Sequence, residues 1–193
     1  MPSVAAIKKI AGYHQYYAVQ KALEKVIQAS PKLKVVSRYG IGVDNIAVDA
    51  ATELGVPVAY VPDYCVGEVA DHAMSLLLAL VRGINRYDPH TKEGGWNLEV
   101  GRPLLRLYGS RIGIAGFGRI GRELAVRAAA FGMQIAIFDP YITKTNLPDN
   151  TQLVSLSQLL EESDFISLHT PLTDETYHMI DAAALATMKD SAL

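Results

Sequence analysis

Cysteine occurs once in the 193 residues, as Cys65, and tryptophan once, as Trp96. A single thiol excludes an internal disulfide and any cysteine-rich metal cluster. An excess of one charge is also lacking: 18 Lys and Arg stand against 20 Asp and Glu, a formal net charge of −2. No basic stripe points to nucleic acid, and no Lys/Arg-rich amphipathic helix points to a membrane surface. The longest apolar run, residues 73–81, is short of the roughly 20 residues that cross a bilayer. The opening MPSVAAIKKI has neither the apolar core nor the cleavage pattern of a signal peptide. Repeats and low-complexity tracts are absent. These absences lead us to expect a cytoplasmic protein with a reduced thiol, no metal, and neither nucleic acid nor membrane as partner.

What is present is a core-forming composition, 50% hydrophobic and 20% charged, and one highly organised stretch. Residues 111–139 read RIGIAGFGRIGRELAVRAAAFGMQIAIFD. Arg111–Ala115 is an apolar run of strand type, and Gly116-Phe117-Gly118-Arg119-Ile120-Gly121 is G-x-G-x-x-G. Ile120, Leu124, Ala128 and Phe131 then recur at helical spacing, and Gly132 is placed to end the helix in a left-handed turn. Gln134–Phe138 is a second apolar strand, closed by Asp139.

Each part suits a dinucleotide. Gly116 permits a tight turn, Gly118 lets backbone N–H groups approach a pyrophosphate, and Gly121 lets helix and strand pack closely. The helix N-terminus offers unpaired N–H groups and a partial positive charge. Asp139 falls 18 residues beyond Gly121, where a carboxylate accepts hydrogen bonds from the adenosine ribose. A carboxylate there repels a 2′-phosphate, which favours NAD over NADP. Arg119 can contact phosphate but is not placed to replace Asp139. Glycine-rich turns are common, so the alternative is a Rossmann-type unit with a different or empty site, such as a methyltransferase.

Residues 15–29 place Tyr16, Val19, Leu23, Val26 and Ile27 at helical spacing, and residues 33–37 (LKVVS) read as a buried strand. Next comes Arg38-Tyr39-Gly40-Ile41-Gly42-Val43-Asp44-Asn45. Two glycines at a strand's C-terminal end make a ligand-facing loop in open α/β folds, or a plain turn with Asp44 or Asn45 capping the next element. A short helix over 49–54, a strand over 56–61 started by Pro57, and a long apolar helix over 67–84 are expected. His72 lies on that helix, and its ordinary role is a packed, hydrogen-bonded residue. Residues 85–109 read as an irregular arm. Ser155 and Gln158 match a capping box, residues 165–169 a strand, and Asp181 a cap for a helix over 182–188. The chain stops at Leu193, where another strand is due.

Several segments together resemble the D-isomer-specific 2-hydroxyacid dehydrogenases: SRYGIGVDN (37–45), VPDYCVGEVADHAMSLLLAL (61–80), GIAGFGRIGRE (113–123), FDPY (138–141), SDFISLHTPLT (163–173) and MKDSAL (188–193). The branch holding phosphoglycerate dehydrogenase-like enzymes and the C-terminal binding proteins looks most similar. The resemblance implies an α/β chain. Residues 67–193 would be a Rossmann-type, doubly wound parallel sheet, incomplete at its C-terminus, and residues 1–66 a partial flavodoxin-like substrate domain. It also implies NAD as cofactor, a linking helix over 67–84, a homodimer, and an arm over 85–109 that reaches the partner.

Residue by residue, Gly116, Gly118, Arg119, Ile120 and Gly121 match the family's pyrophosphate loop, and Asp139 its ribose-binding acid. Thr170, Pro171 and Thr176 match residues that line the cofactor. Arg38, Gly40, Ile41 and Gly42 match the loop that holds the carboxylate of a 2-hydroxy or 2-oxo acid. The family's catalytic arginine, acid and histidine come after the M-K-x-G-like segment, so no catalytic residue is assigned here. Neither His169 nor His72 matches that histidine, and the chain is expected to be the middle of a longer protein. The leading expectation is therefore an NAD-dependent 2-hydroxyacid oxidoreductase. An NAD(H)-responsive corepressor scaffold and a non-catalytic remnant stand behind it.

Overall fold

The computed structural model describes residues 21, 24–43, 45–143, 147, 148 and 150–193. Tyr16, Val19, Leu23 and Asp44, used above, lie outside the described residues. The chain divides into two compact units, Met1–Tyr64 and Cys65–Leu193.

In the second unit the strands are β3 (Arg111–Ala115), β4 (Gln134–Phe138), β5 (Thr151–Leu153) and β6 (Phe165–Leu168). All pair in parallel, in the order β5-β4-β3-β6. β3 has a neighbour on each side, with Ile112 opposite both Ile135 and Phe165 and Ile114 opposite Ile137. Parallel strands covered on both faces read as continuous apolar runs rather than alternating ones. Accordingly Ile112, Ile114, Ile135, Ile137 and Phe165 are all buried. Each such side chain contributes roughly 1.5–3 kcal/mol relative to an exposed position.

Helix α5 (Arg119–Ala130) returns the chain from β3 to β4, and α6 (Leu156–Glu162) returns it from β5 to β6. A Cβ on Gly113 would meet the Leu159 side chain of α6 at 2.7 Å, so Gly113 faces α6. Ile112 and Ile114 then point the other way, towards α5, because strand side chains alternate. The chain leaves β3 towards β4 and β5, then comes back to place β6 on the far side of β3. This reversal is a topological switch point, and ligands bind outside the carboxyl ends of the strands there.

Helix α3 (Val66–Val81) lies against α5, buries Ala70, Met74 and Val81, and is tied on by Arg127. Arg127 Nε donates to Asp71 Oδ1 at 2.5 Å, Nη1 to Glu123 Oε2 at 2.7 Å and Nη2 to the Gly67 carbonyl at 3.4 Å. Glu123 first, and Asp71 second, raise the Arg127 pKa.

Four sequence expectations need correction here. The apolar helix ends at Val81 rather than at residue 84. Gly83 takes φ +63°, and a Cβ on it would lie 2.6 Å from the Gly101 carbonyl. Residues 85–109 are not wholly irregular: Ile84–Lys92 forms α4, followed by a 3₁₀ turn, Leu98–Gly101. Charge and an internal Pro89 hide that helix from periodicity. It is held instead by distant backbone, Tyr87 Oη donating to Leu98 O at 2.7 Å and Arg86 Nη2 to Gly101 O at 2.8 Å. His72 is exposed, not packed. Phe131 is 43% exposed, because it is the C-cap of α5 and no longer on its buried face. Gly132 does take φ +70° beyond it.

Ser155 Oγ accepts from Gln158 N at 3.2 Å, but the Gln158 amide donates to Glu162, so the reciprocal half of the capping box is missing. Asp181 caps α7 (Ala182–Thr187) by accepting from Ala184 N at 2.8 Å. Leu193 lies along the outer edge of β6, donating to Asp164 O at 3.1 Å and accepting from Ile166 N at 2.9 Å. These two bonds follow the edge of β6, but no strand is formed at Leu193.

In the first unit, residues 24–28 end helix α1, and β1 (Val36–Ser37) pairs in parallel with β2 (Val58–Ala59). α2 (Val48–Glu53) lies between them in sequence. Ile27, Ile46, Ala50 and Ala51 are buried. Residues 33–37 are not the buried strand expected, and Val26 is not on a buried face: Val35 is 50% exposed and Val26 58%. A two-stranded, two-residue sheet has too little area to cover them. Asn45 does not cap α2, whose N-cap is Ala47 with no side-chain hydrogen bond.

Candidate functional site

Residues 116–121 leave the carboxyl end of β3 at the switch point and run into α5. Gly116 takes φ +90°, where an L side chain is strained. A Cβ there would also lie 2.7 Å from the carbonyl carbon of His169 and 2.8 Å from Thr170 N. The turn is therefore pressed against the chain leaving β6, and only glycine fits. Gly118 is the N-cap of α5, carries no side-chain cap, and has open space where its Cβ would be. The first-turn N–H groups of a helix have no intrahelical acceptor. A 12-residue helix adds its dipole to them. Gly121 is buried, and a Cβ on it would collide with the Gly116 carbonyl.

Asp139, at the carboxyl end of β4, reaches this turn. Its Oδ2 accepts from Phe117 N at 2.8 Å and its Oδ1 from Tyr141 N at 2.9 Å. The two backbone donors fix the carboxylate beside the glycine turn. Thr170 and Pro171 come after β6, with Thr170 N against Gly116. Thr176 closes their loop: its Oγ1 donates to Pro171 O at 2.6 Å and accepts from Thr173 N at 2.8 Å. Of the nine residues read from the sequence as cofactor-binding, Gly116, Gly118, Arg119, Ile120, Gly121, Asp139, Thr170 and Pro171 thus gather at the ends of three adjacent strands. Thr176 braces the last of these loops.

A positive-φ glycine turn leading into a helix N-terminus, a carboxylate held beside it and the switch-point location together make the arrangement of a dinucleotide fold. Residues 74–193 match the family model described as D-isomer specific 2-hydroxyacid dehydrogenase, NAD binding domain. The chain belongs to that family. Among its relatives, the hydroxypyruvate reductase of Thermotoga maritima is 44% identical over 175 residues, covering 90% of this chain and 56% of the relative. The D-3-phosphoglycerate dehydrogenase of Methanocaldococcus jannaschii is 42% identical, covering 90% of this chain and 33% of the relative. The solved NAD-dependent formate dehydrogenase from Staphylococcus aureus, in complex with NAD, superposes with a TM-score of 0.80 at 35% identity. It is matched over 88% of this chain and 51% of its own. This chain spans between a third and just over half of the length of these relatives.

The glycine turn has room for a phosphate group at its helix end. Gly118 leaves room beside the first-turn amides of α5, while the spaces at Gly116 and Gly121 are filled by the protein's own backbone. Two residues not legible from the sequence belong to the same site. Phe117 is buried, donates its N–H to Asp139, and carries the Arg122 guanidinium 4.5 Å above its ring. An aromatic side chain set between the first two glycines of the turn is the signal for it. His169 is the second. It does not match the family's catalytic histidine, and its place in the site is set by its backbone.

The loop of Arg38, Gly40, Ile41 and Gly42 lies in the first unit, at the carboxyl end of β1. Arg38 N donates to Ala59 O at 2.9 Å, and Gly40 O accepts from Val61 N at 3.2 Å, which ties the loop to the end of β2. The Arg38 guanidinium folds back to donate to the Gly42 carbonyl. Asn45 Oδ1 is buried with no partner among the described residues. No group of three or more His, Cys, Asp or Glu that could hold a metal occurs among the described residues, and none of their helices is long and apolar enough to cross a membrane.

Proposed function

We propose that this chain is the NAD-binding part, together with a portion of the substrate-side part, of a cytoplasmic NAD-dependent oxidoreductase acting on a 2-hydroxy or 2-oxo acid. The arrangement of Gly116, Gly118 and Asp139 at the switch point carries the reading. The first-turn amides around Gly118, with Arg119 and Ile120, hold the pyrophosphate, and Gly121 seats α5 against the turn. Asp139 takes the adenosine ribose, and its charge disfavours a 2′-phosphate. Thr170 and Pro171 line the cofactor, with Thr176 holding their loop. The amides of Gly40, Ile41 and Gly42, with Arg38, grip the acid's carboxylate.

Once bound, NAD(H) supplies the hydride chemistry. The residues named here bind and orient; none of them moves a proton. We therefore expect NADH binding without turnover when this chain meets glyoxylate, hydroxypyruvate or pyruvate in a single-turnover NADH-oxidation assay. A longer form carrying a catalytic arginine, acid and histidine is expected to oxidise NADH with one of them. Turnover by the chain alone would refute the placing of proton transfer outside it. The relatives named above are oxidoreductases, and no observation favours the corepressor alternative.

The arm over 85–109 is proposed to reach a second copy of the chain. Trp96 is 95% exposed and Leu98 73%, an apolar tip that suits a homodimer interface. Sedimentation equilibrium is expected to give a dimer that Trp96→Ala weakens.

A further inference from the structure

His169 directly follows β6 at the place where the dinucleotide turn leans on its neighbour. Its backbone N–H donates to Ala115 O at 2.7 Å, carrying the bonding between β3 and β6 one residue past the end of β6. Its carbonyl carbon and oxygen would lie 2.7 and 2.8 Å from a Cβ on Gly116, so this peptide is the wall that shapes the turn. The imidazole is half-buried, and its Nε2 lies 2.9 Å from Ser167 Oγ, two residues back on the same face of the strand. The ring therefore points back along β6, away from the turn its backbone supports.

Resting on the reading that this turn takes NAD, we propose that His169 is a positioning residue for the cofactor. Its neutral ring, hydrogen-bonded to Ser167, fixes the His169–Thr170 peptide under Gly116, and breaking that lock weakens dinucleotide binding. An imidazolium can still donate to Ser167 Oγ, but protonation opposes the arrangement by placing a full charge in a half-buried site, and burial accordingly lowers the His169 pKa below the ordinary imidazole value. The charged and titratable groups carried by the surrounding elements are Asp139 after β4; Arg119, Arg122, Glu123 and Arg127 on α5; Glu68, Asp71 and His72 on α3; and Asp174, Glu175, Tyr177 and His178 in the loop after β6. The shift is due to burial and not to any of these. NAD binding and a neutral His169 thus favour each other, and acidification below the usual imidazole range releases cofactor.

Isothermal titration of the 193-residue chain with NADH between pH 8 and pH 5.5, for wild type, His169→Gln and Ser167→Ala, tests this. Wild type is expected to bind roughly threefold more weakly as pH falls through and below the imidazole range. Gln keeps a hydrogen-bonding group but does not titrate, so His169→Gln should lose the pH dependence of binding. Ser167→Ala should bind more weakly at every pH. An unchanged pH profile in His169→Gln overturns the proposal. So does tighter binding on acidification that disappears in His169→Gln, since that would place the ring against the phosphates. Absence of NADH binding in all three folded proteins at every pH would instead overturn the NAD reading on which the proposal rests. Circular dichroism at each pH establishes that the variants are folded.

Discussion

The two units use the same kind of sequence to different ends. LKVVS before Arg38 and RIGIA before Gly116 are both short apolar runs that lead into a glycine loop. RIGIA becomes the centre of a four-stranded parallel sheet, with Ile112 and Ile114 fully buried. LKVVS contributes only Val36–Ser37 to a two-stranded pairing, and Val35 stays half exposed. An apolar run specifies a capacity for burial, whereas neighbouring strands decide whether it is realised. The glycine loop after RIGIA is correspondingly held by tight backbone contacts, and the one after LKVVS mainly by hydrogen bonds to the end of β2 and by its own arginine.

Substitution sharpens the contrast most strongly at two glycines that share positive φ. Gly116→Ala combines strain with backbone overlap at His169 and should cost about 3 kcal/mol and abolish NADH binding. Gly55 ends α2 at φ +65° with nothing within 4 Å of its Cβ position. Gly55→Ala should therefore cost only about 1 kcal/mol. Equal costs in urea unfolding would erase the distinction.

A smaller contrast separates the cores. Leu124, 1% exposed on α5, should lose roughly 3 kcal/mol on Leu124→Ala. Val35→Ala, at a half-exposed position, should lose about 0.5 kcal/mol.

The smallest effect lies at the edge of the larger sheet. Lys189 Nζ pairs with Asp164 Oδ1 at 2.7 Å, while Asp164 Oδ2 accepts from Arg111 N at 2.8 Å. Burial pushes the Asp164 carboxyl up, but Lys189 and the Arg111 N–H outweigh it and leave the pKa below the ordinary value. The stabilisation is complete above the unfolded value near 4 and is lost as pH falls through the lower folded value. Both partners are more than a third exposed, so Lys189→Met should cost only about 0.5 kcal/mol at pH 7. It should move the acid-unfolding midpoint to higher pH, whereas an unmoved midpoint would assign the shift to the Arg111 amide alone.

Legibility in the sequence has the same division. Strand, turn, helix, strand and acid over residues 111–139 can be placed because each rests on local chemistry: continuous burial, positive-φ glycines and a carboxylate after a strand. Asp139 is readable as an acid at the right distance, but its bond to Phe117 is not, since that contact depends on two strands lying side by side. Helix α4 escapes because its support comes from carbonyls of residues 98 and 101, which no periodicity records. His169 escapes because its importance lies in what its backbone touches rather than in its residue type. In the first unit, α2 and its glycine stop are legible, while the extent of the strands is not, because burial there depends on more than the local run.

The central claim is that the turn at Gly116 receives NAD with Asp139 on its sugar. Isothermal titration of the folded chain with NADH and NADPH, repeated on Asp139→Ala, tests it most directly. We expect NADH to bind, NADPH to bind more weakly, and Asp139→Ala to lose about tenfold in NADH affinity, as one charge-assisted hydrogen bond is worth, while the gap between the two nucleotides narrows. No uptake of either nucleotide by well-folded protein, or identical NADH binding with and without the Asp139 carboxylate, would contradict the account.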